Sequence, residues 1–146
     1  MECRVWSVIE DRLIEVRAVP SSTDGAGLII DGLPGDRVRT AADRVRAALL
    51  NSGLLGEVRG VTLRVDPPLG SGATSDLDLA LALATVVHVR VLGTGLRWIL
   101  ANGRLGLNGM VHASGLDDRP HLSEIVRNLC RTPVVESERM FEGNGT

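Results

Sequence analysis

The chain contains no lysine, and all 16 of its basic residues are arginine. Arginine stays protonated at neutral pH, so no side-chain amine is available for catalysis. No G-x-x-x-x-G-K-[ST] segment exists, and without lysine none can form, which excludes a P-loop ATPase within these residues. Tyrosine is absent as well, and the aromatics are limited to Trp6, Trp98 and Phe141. The two cysteines, Cys3 and Cys130, lie far apart and read as buried, reduced thiols. No apolar run approaches the ~18 residues of a membrane span. The longest, Leu79 to Val87, is nine residues. Met1-Glu2-Cys3-Arg4 lacks the charged-then-apolar layout of a secretory leader, so the expected location is cytoplasmic.

What is present describes an ordinary globular chain. Its 146 residues fit one domain, expected over 1–141 with a loose tail over 142–146. At 44% hydrophobic and 23% charged residues it can build a core without a metal or disulfide staple. A net charge of -2 gives no general attraction to nucleic acid or an anionic membrane.

Alternating apolar residues over 3–9 and 12–19, separated by Glu10-Asp11, predict a hairpin. A third strand begins near Gly27-Leu28-Ile29-Ile30 and is broken by Leu33-Pro34-Gly35. Asp36 then stands where a helix N-cap belongs. From Arg37 to Leu50, Val38, Ala41, Ala42, Val45, Ala48 and Leu49 trace one helical face, and Gly53 suits the left-handed stop. The other face carries Arg37, Arg39, Asp43, Arg44 and Arg46. Val61 to Val65 is a strand ending at Pro67-Pro68, followed by a glycine-rich loop from Leu69 to Asp76. Leu77 to Leu92 could alternate like a strand. Its length, its Leu/Ala content and a Ser75/Asp78 capping-box pattern favour a helix at the centre of the core. Strands are expected at Arg97 to Ala101 and Leu107 to Ala113, the latter with a tight turn at Asn108-Gly109. A short helix over Pro120 to Arg131 and a last strand at Pro133-Val134-Val135 complete the reading.

Several joints resemble one family. Gly32-Leu33-Pro34, Val38-Arg39, Arg44-Val45-Arg46-Ala47-Ala48-Leu49 and Asn51-Ser52-Gly53 are similar to a stretch of the N-terminal domain of ChlI/ComM-type magnesium-chelatase-like proteins. Val61 to Pro67, Asp76 to Leu81 and, more faintly, Ile99 to Val111 also resemble segments of that domain. The resemblance implies an α/β (α+β) fold of the ribosomal protein S5 domain 2-like type, shared with Lon-type peptidases and galactokinase-type kinases. That fold is a mixed sheet with helices mainly on one face and a left-handed crossover. In longer relatives this domain precedes an AAA+ ATPase. Fold likeness alone does not carry function.

The chemistry these relatives use is not matched here. A Lon-type dyad needs a serine and a lysine; Ala73 falls at the serine position, Ser71 and Ser75 lie nearby, and lysine is missing. The loop residues Gly70, Ser71, Gly72, Thr74 and Ser75 precede a helix and form a candidate anion or nucleotide site. Against it, Asp76 and Asp78 place negative charge at the same helix end. His88, His112 and His121 show no metal-binding spacing, and Asp117-Asp118 reads as a solvated turn. The arginine face over 37–46 could meet phosphates, yet Asp36 and Asp43 stand at pairing distance along the helix and no stacking aromatic is near.

The expectation is therefore a non-catalytic interaction or assembly domain, without cofactor or obligatory metal. Its partner would be a second copy or a separately encoded AAA+ ATPase, and not a membrane. A small anion-binding domain built on the Gly70–Ser75 loop and a DNA-processing accessory protein are the alternatives.

Overall fold

The computed structural model describes residues 4–21, 27–56, 58–70, 75–89, 98–112, 122, 125–126 and 138–142. β1 (Arg4–Ile9) and β2 (Arg12–Pro20) form the expected antiparallel hairpin. Glu10 and Asp11 both take positive φ, 51° and 61°. This is the type I′ pattern, whose backbone twist matches that of paired strands.

β3 (Leu28–Asp31), α1 (Gly35–Asn51) and β4 (Val61–Asp66) form a parallel β-α-β unit, with β4 also antiparallel to β2. Pro34, not Asp36, occupies the cap position of α1, because its fixed φ of -56° and extended ψ of 141° set the turn into the helix. Asp36 lies inside the first turn, where its charge still favours the helix dipole. Ala41, Ala42, Val45, Ala48 and Leu49 are buried, as the periodicity predicts. Gly53 sits at φ 76° and hydrogen-bonds back to Leu50 O.

A 3-10 turn over Ser75–Leu77 leads into α2 (Asp78–Val89), in which every residue from Asp78 to Val86 is buried. The alternating Leu/Ala run is thus helical, and its length lets it pack on β1, β2, β4 and β5 together. β5 (Trp98–Asn102) is followed by a small hairpin of β6 (Arg104–Leu105) and β7 (Val111–His112). Leu107 and Asn108 are in the turn of that hairpin and not in a strand, since Gly109 at φ 91° reverses the chain after them. β8 (Glu138–Glu142) is a strand the sequence pattern misses, and Glu142 ends it rather than opening a tail. Residues 90–92, 133–135 and 143–146, Cys3 and Cys130 lie outside the described residues. Within 120–131 only Leu122, Ile125 and Val126 are described, as helical and buried.

The main sheet is six-stranded and mixed, in the order β3-β4-β2-β1-β5-β8. β1 runs parallel to β5, and β5 parallel to β8. On one face Val5, Ile14, Val16, Leu63 and Ile99 pack with the buried residues of α1 and α2 to form the core. Burial alternates along β1, β3, β4, β5 and the first part of β2, so the residues between the core positions form a second face that neither described helix covers. Among the described residues, no helix is long and apolar enough to cross a membrane.

Candidate functional site

Of the candidate anion loop, Ser71, Gly72 and Thr74 lie outside the described residues. Gly70 follows β4 with space around it, and Ser75 opens the 3-10 turn. The two aspartates beyond it part company. Asp76 is exposed, and its carbonyl accepts a hydrogen bond from Gly103 N at 2.8 Å. Asp78 turns into the core and is fully inaccessible.

Asp78 finds its partner on α1. Arg44 Nε donates to Asp78 Oδ2 at 2.9 Å and Arg44 Nη2 to Oδ1 at 3.0 Å, a bidentate pair. Leu105 N donates to Oδ2 at 3.1 Å, which draws β6 into the same contact. Both carboxylate oxygens are therefore engaged by partners remote in sequence, and this displaces the capping-box reading of Ser75 and Asp78. Burial pushes the Asp78 carboxyl above its ordinary value; the Arg44 hydrogen bonds and charge, the Leu105 N–H and the charge of Arg104 oppose that push. The enclosed acid joins three elements of the fold. It clamps α1, α2 and the β6–β7 hairpin together.

The clamp also removes Arg44 from the arginine face that the helical pattern suggests. On what remains of that face, Arg46 pairs with Asp43 at 2.7 Å and Arg37 approaches Asp36 at 4.0 Å. A phosphate footprint on α1 is correspondingly weakened. A second polar grouping joins β1 to β5. Ser7 is buried, and its hydroxyl donates to Asn102 Oδ1, which also accepts Val8 N at 2.9 Å. No His, Cys, Asp or Glu group suited to a metal ion occurs among the described residues. His121, Asp117 and Asp118 lie outside them.

The sheet face that neither described helix covers is the larger feature. Strand register orders its side chains into rows. One row reads Trp98, Arg4, Arg17, Arg64, Asp31 across β5, β1, β2, β4 and β3. The next reads Leu100, Trp6, Glu15, Asp66. Beyond these, Val8 pairs with Leu13 on one side, and Val19, Thr62 and Ile29 align on the other. Leu13 is 56% exposed, Val8 40% and Ile29 40%, while both tryptophans and Leu100 are half-buried. Aromatics and arginine are what protein interfaces are enriched in. Sequence reasoning missed it because the two tryptophans approach each other only through the parallel pairing of β1 with β5. The available signal was the odd-even alternation within 4–9 and 12–19, which already put Trp6, Val8 and Leu13 opposite the core positions.

No protein-family model matches the chain, and no curated protein sequence matches it either.

Proposed function

We propose that this chain is a non-catalytic interaction or assembly domain whose docking surface is the sheet face opposite α1 and α2. The supporting observation is that face itself, with Leu13 and Val8 exposed, Trp6 and Trp98 half-buried beside them, and three arginines among them. The lysine-free composition supports the non-catalytic half of the reading, since it leaves neither a serine-activating amine nor a phosphate-gripping P-loop lysine. The kinship with ChlI/ComM-type N-terminal domains and the S5 domain 2-like fold belong to the same reading. They are supported by the β3-α1-β4 parallel unit and by structural tasks at the motif residues. Gly32 passes against Val65, and the Asn51 side chain ties the end of α1 to Leu107 O at 2.9 Å. The partner is a protein, either a second copy or a separately encoded AAA+ motor.

A photo-crosslinking residue at Leu13, with Arg39 on α1 as the control position, tests the proposal in the native host. Crosslinks to a defined protein at Leu13 and not at Arg39 are expected. A protein that is strictly monomeric and crosslinks at neither position overturns it.

A further inference from the structure

The rows on this face carry an arrangement that isolated folding does not favour. Arg17 and Arg64 are direct cross-strand partners, Arg64 has Asp31 of β3 opposite it on its other side, and Arg4 continues the same row one step beyond the Val5–Val16 pair. Like charges directly opposite one another destabilise a sheet. Among the described residues neither Arg17 nor Arg64 has a carboxylate within the 4.0 Å of an ion pair. The neighbouring row holds acids at the corresponding strands. Glu15 lies on β2 beside Arg17, and Asp66 on β4 beside Arg64. Glu15 is only 13% exposed at its side chain, approaches Arg4 at 3.7 Å, and its Oε2 has no hydrogen-bond donor. On β2 and β4 an arginine pair and an acid pair thus run side by side, separated by about 7 Å along the chain direction.

Such a pattern is complementary to its own image. We propose that the occupant of this face is a second copy of the chain, placed by a twofold axis that lies in the interface, crosses the strands, and runs midway between the two rows. That operation sets Arg17 against Glu15 of the second copy and Arg64 against its Asp66, each pair occurring twice. It also places Arg4 over the second copy's Trp6, Trp98 over its Leu100, and Val19 over its Leu13. Charge meets opposite charge, guanidinium meets an indole face, and aliphatic meets aliphatic. Stacked sheets stand about 10 Å apart, a span an extended arginine and a carboxylate close between them. The roughly 30° rotation between packed sheets loosens the outermost contacts and spares those near the centre, on β2 and β4. The fourteen positions of these rows, at roughly 33 Å² each, cover about 450 Å² per copy, at the low end for a specific interface. The dimer is accordingly expected to be weak and reversible.

This inference rests on the docking reading above, and its test separates the two. The wild type, Arg64→Glu and Asp66→Arg are each examined by sedimentation equilibrium, alone and as an equimolar mixture of the two variants. Both positions are exposed, and circular dichroism confirms the fold. The expected result is a concentration-dependent wild-type dimer, at least a tenfold weaker self-association for each variant alone, and a heterodimer within about tenfold of wild type on mixing. Mixing restores both charge pairs only in the twofold arrangement. A wild-type dimer unaffected by either variant, or a mixture that stays monomeric, overturns the proposed geometry. A monomeric wild type overturns self-association. If Leu13 still crosslinks to a different protein, the docking reading stands without it; if no crosslink forms, both fall.

Discussion

Arg44 on α1 holds Asp78 on α2 through two nearly equal hydrogen bonds, 2.9 and 3.0 Å, and Asp78 has no exposure to solvent. The two residues are of unequal standing: Arg44 keeps 26% of its side chain exposed, whereas the acid has none. Removing the acid leaves a cation that can turn toward water. Removing the arginine strands a buried charge.

That asymmetry gives the first prediction. Arg44→Met is expected to lower stability by about 3–5 kcal/mol, the range for a buried ion pair broken on one side. Adding Asp78→Asn should recover more than half of the loss, because the amide is uncharged and its oxygen still accepts the Leu105 N–H. Urea unfolding of the single and double variants measures both values. A double variant no more stable than Arg44→Met would mean that the charge on Asp78 is not what the arginine compensates.

The second prediction concerns acid. Burial raises the Asp78 carboxyl in the folded state. A raised carboxyl favours folding fully below its unfolded value and loses that contribution as pH rises through the folded value. Taking away Arg44 removes two lowering influences and raises the folded value further. The stability deficit of Arg44→Met should therefore be largest at neutral pH and shrink as pH falls toward the ordinary carboxylate range. Urea midpoints for wild type and variant across that interval provide the check; a deficit that grows in acid contradicts the mechanism.

How much of this was legible beforehand follows from the range of each interaction. The offsets of Ala41, Ala42, Val45, Ala48 and Leu49 gave α1 its face, because helical periodicity is local. Alternation around Glu10-Asp11 gave the hairpin for the same reason. Arg44 sits at the border of the α1 stripe, and nothing nearby in sequence says that its partner lies on α2. Asp78, set among leucines and alanines, carried a half-signal: a carboxylate in an apolar helix must find a cation or lose its charge. Which cation was a matter of tertiary packing. The arginine row across β1, β2 and β4 was hidden in the same way, since cross-strand register and not sequence distance places Arg17 beside Arg64. β8 escaped because Glu138 to Glu142 has little strand-like alternation, and its pairing with β5 supplies what the pattern lacks.

The β1–β2 turn offers a third prediction. Glu10 and Asp11 both sit at positive φ, which asparagine and glycine adopt far more readily. Replacing the pair by Asn-Gly should stabilise the protein by about 0.5–1 kcal/mol, by relieving turn strain. Thermal unfolding should show a rise of a few degrees. Unchanged or lowered Tm would show that the two acidic side chains contribute contacts that outweigh the strain.

The fourth prediction contrasts two glycines that share a sign of φ and little else. Gly32 sits at φ 101°, and a Cβ there would lie 2.4 Å from Val65 O on the neighbouring strand β4. Its own carbonyl accepts Leu69 N at 2.8 Å, so the backbone is held on the far side as well. Gly53, at φ 76°, has nothing within 4 Å of the same position. Gly53→Ala should therefore show only the left-handed backbone penalty, about 1 kcal/mol. Gly32→Ala adds a collision with main chain that no rotamer relieves, and should lose about 2–4 kcal/mol. If urea unfolding finds the two substitutions equal, the close approach of Gly32 to β4 does not constrain the fold, and the requirement for glycine there is conformational alone.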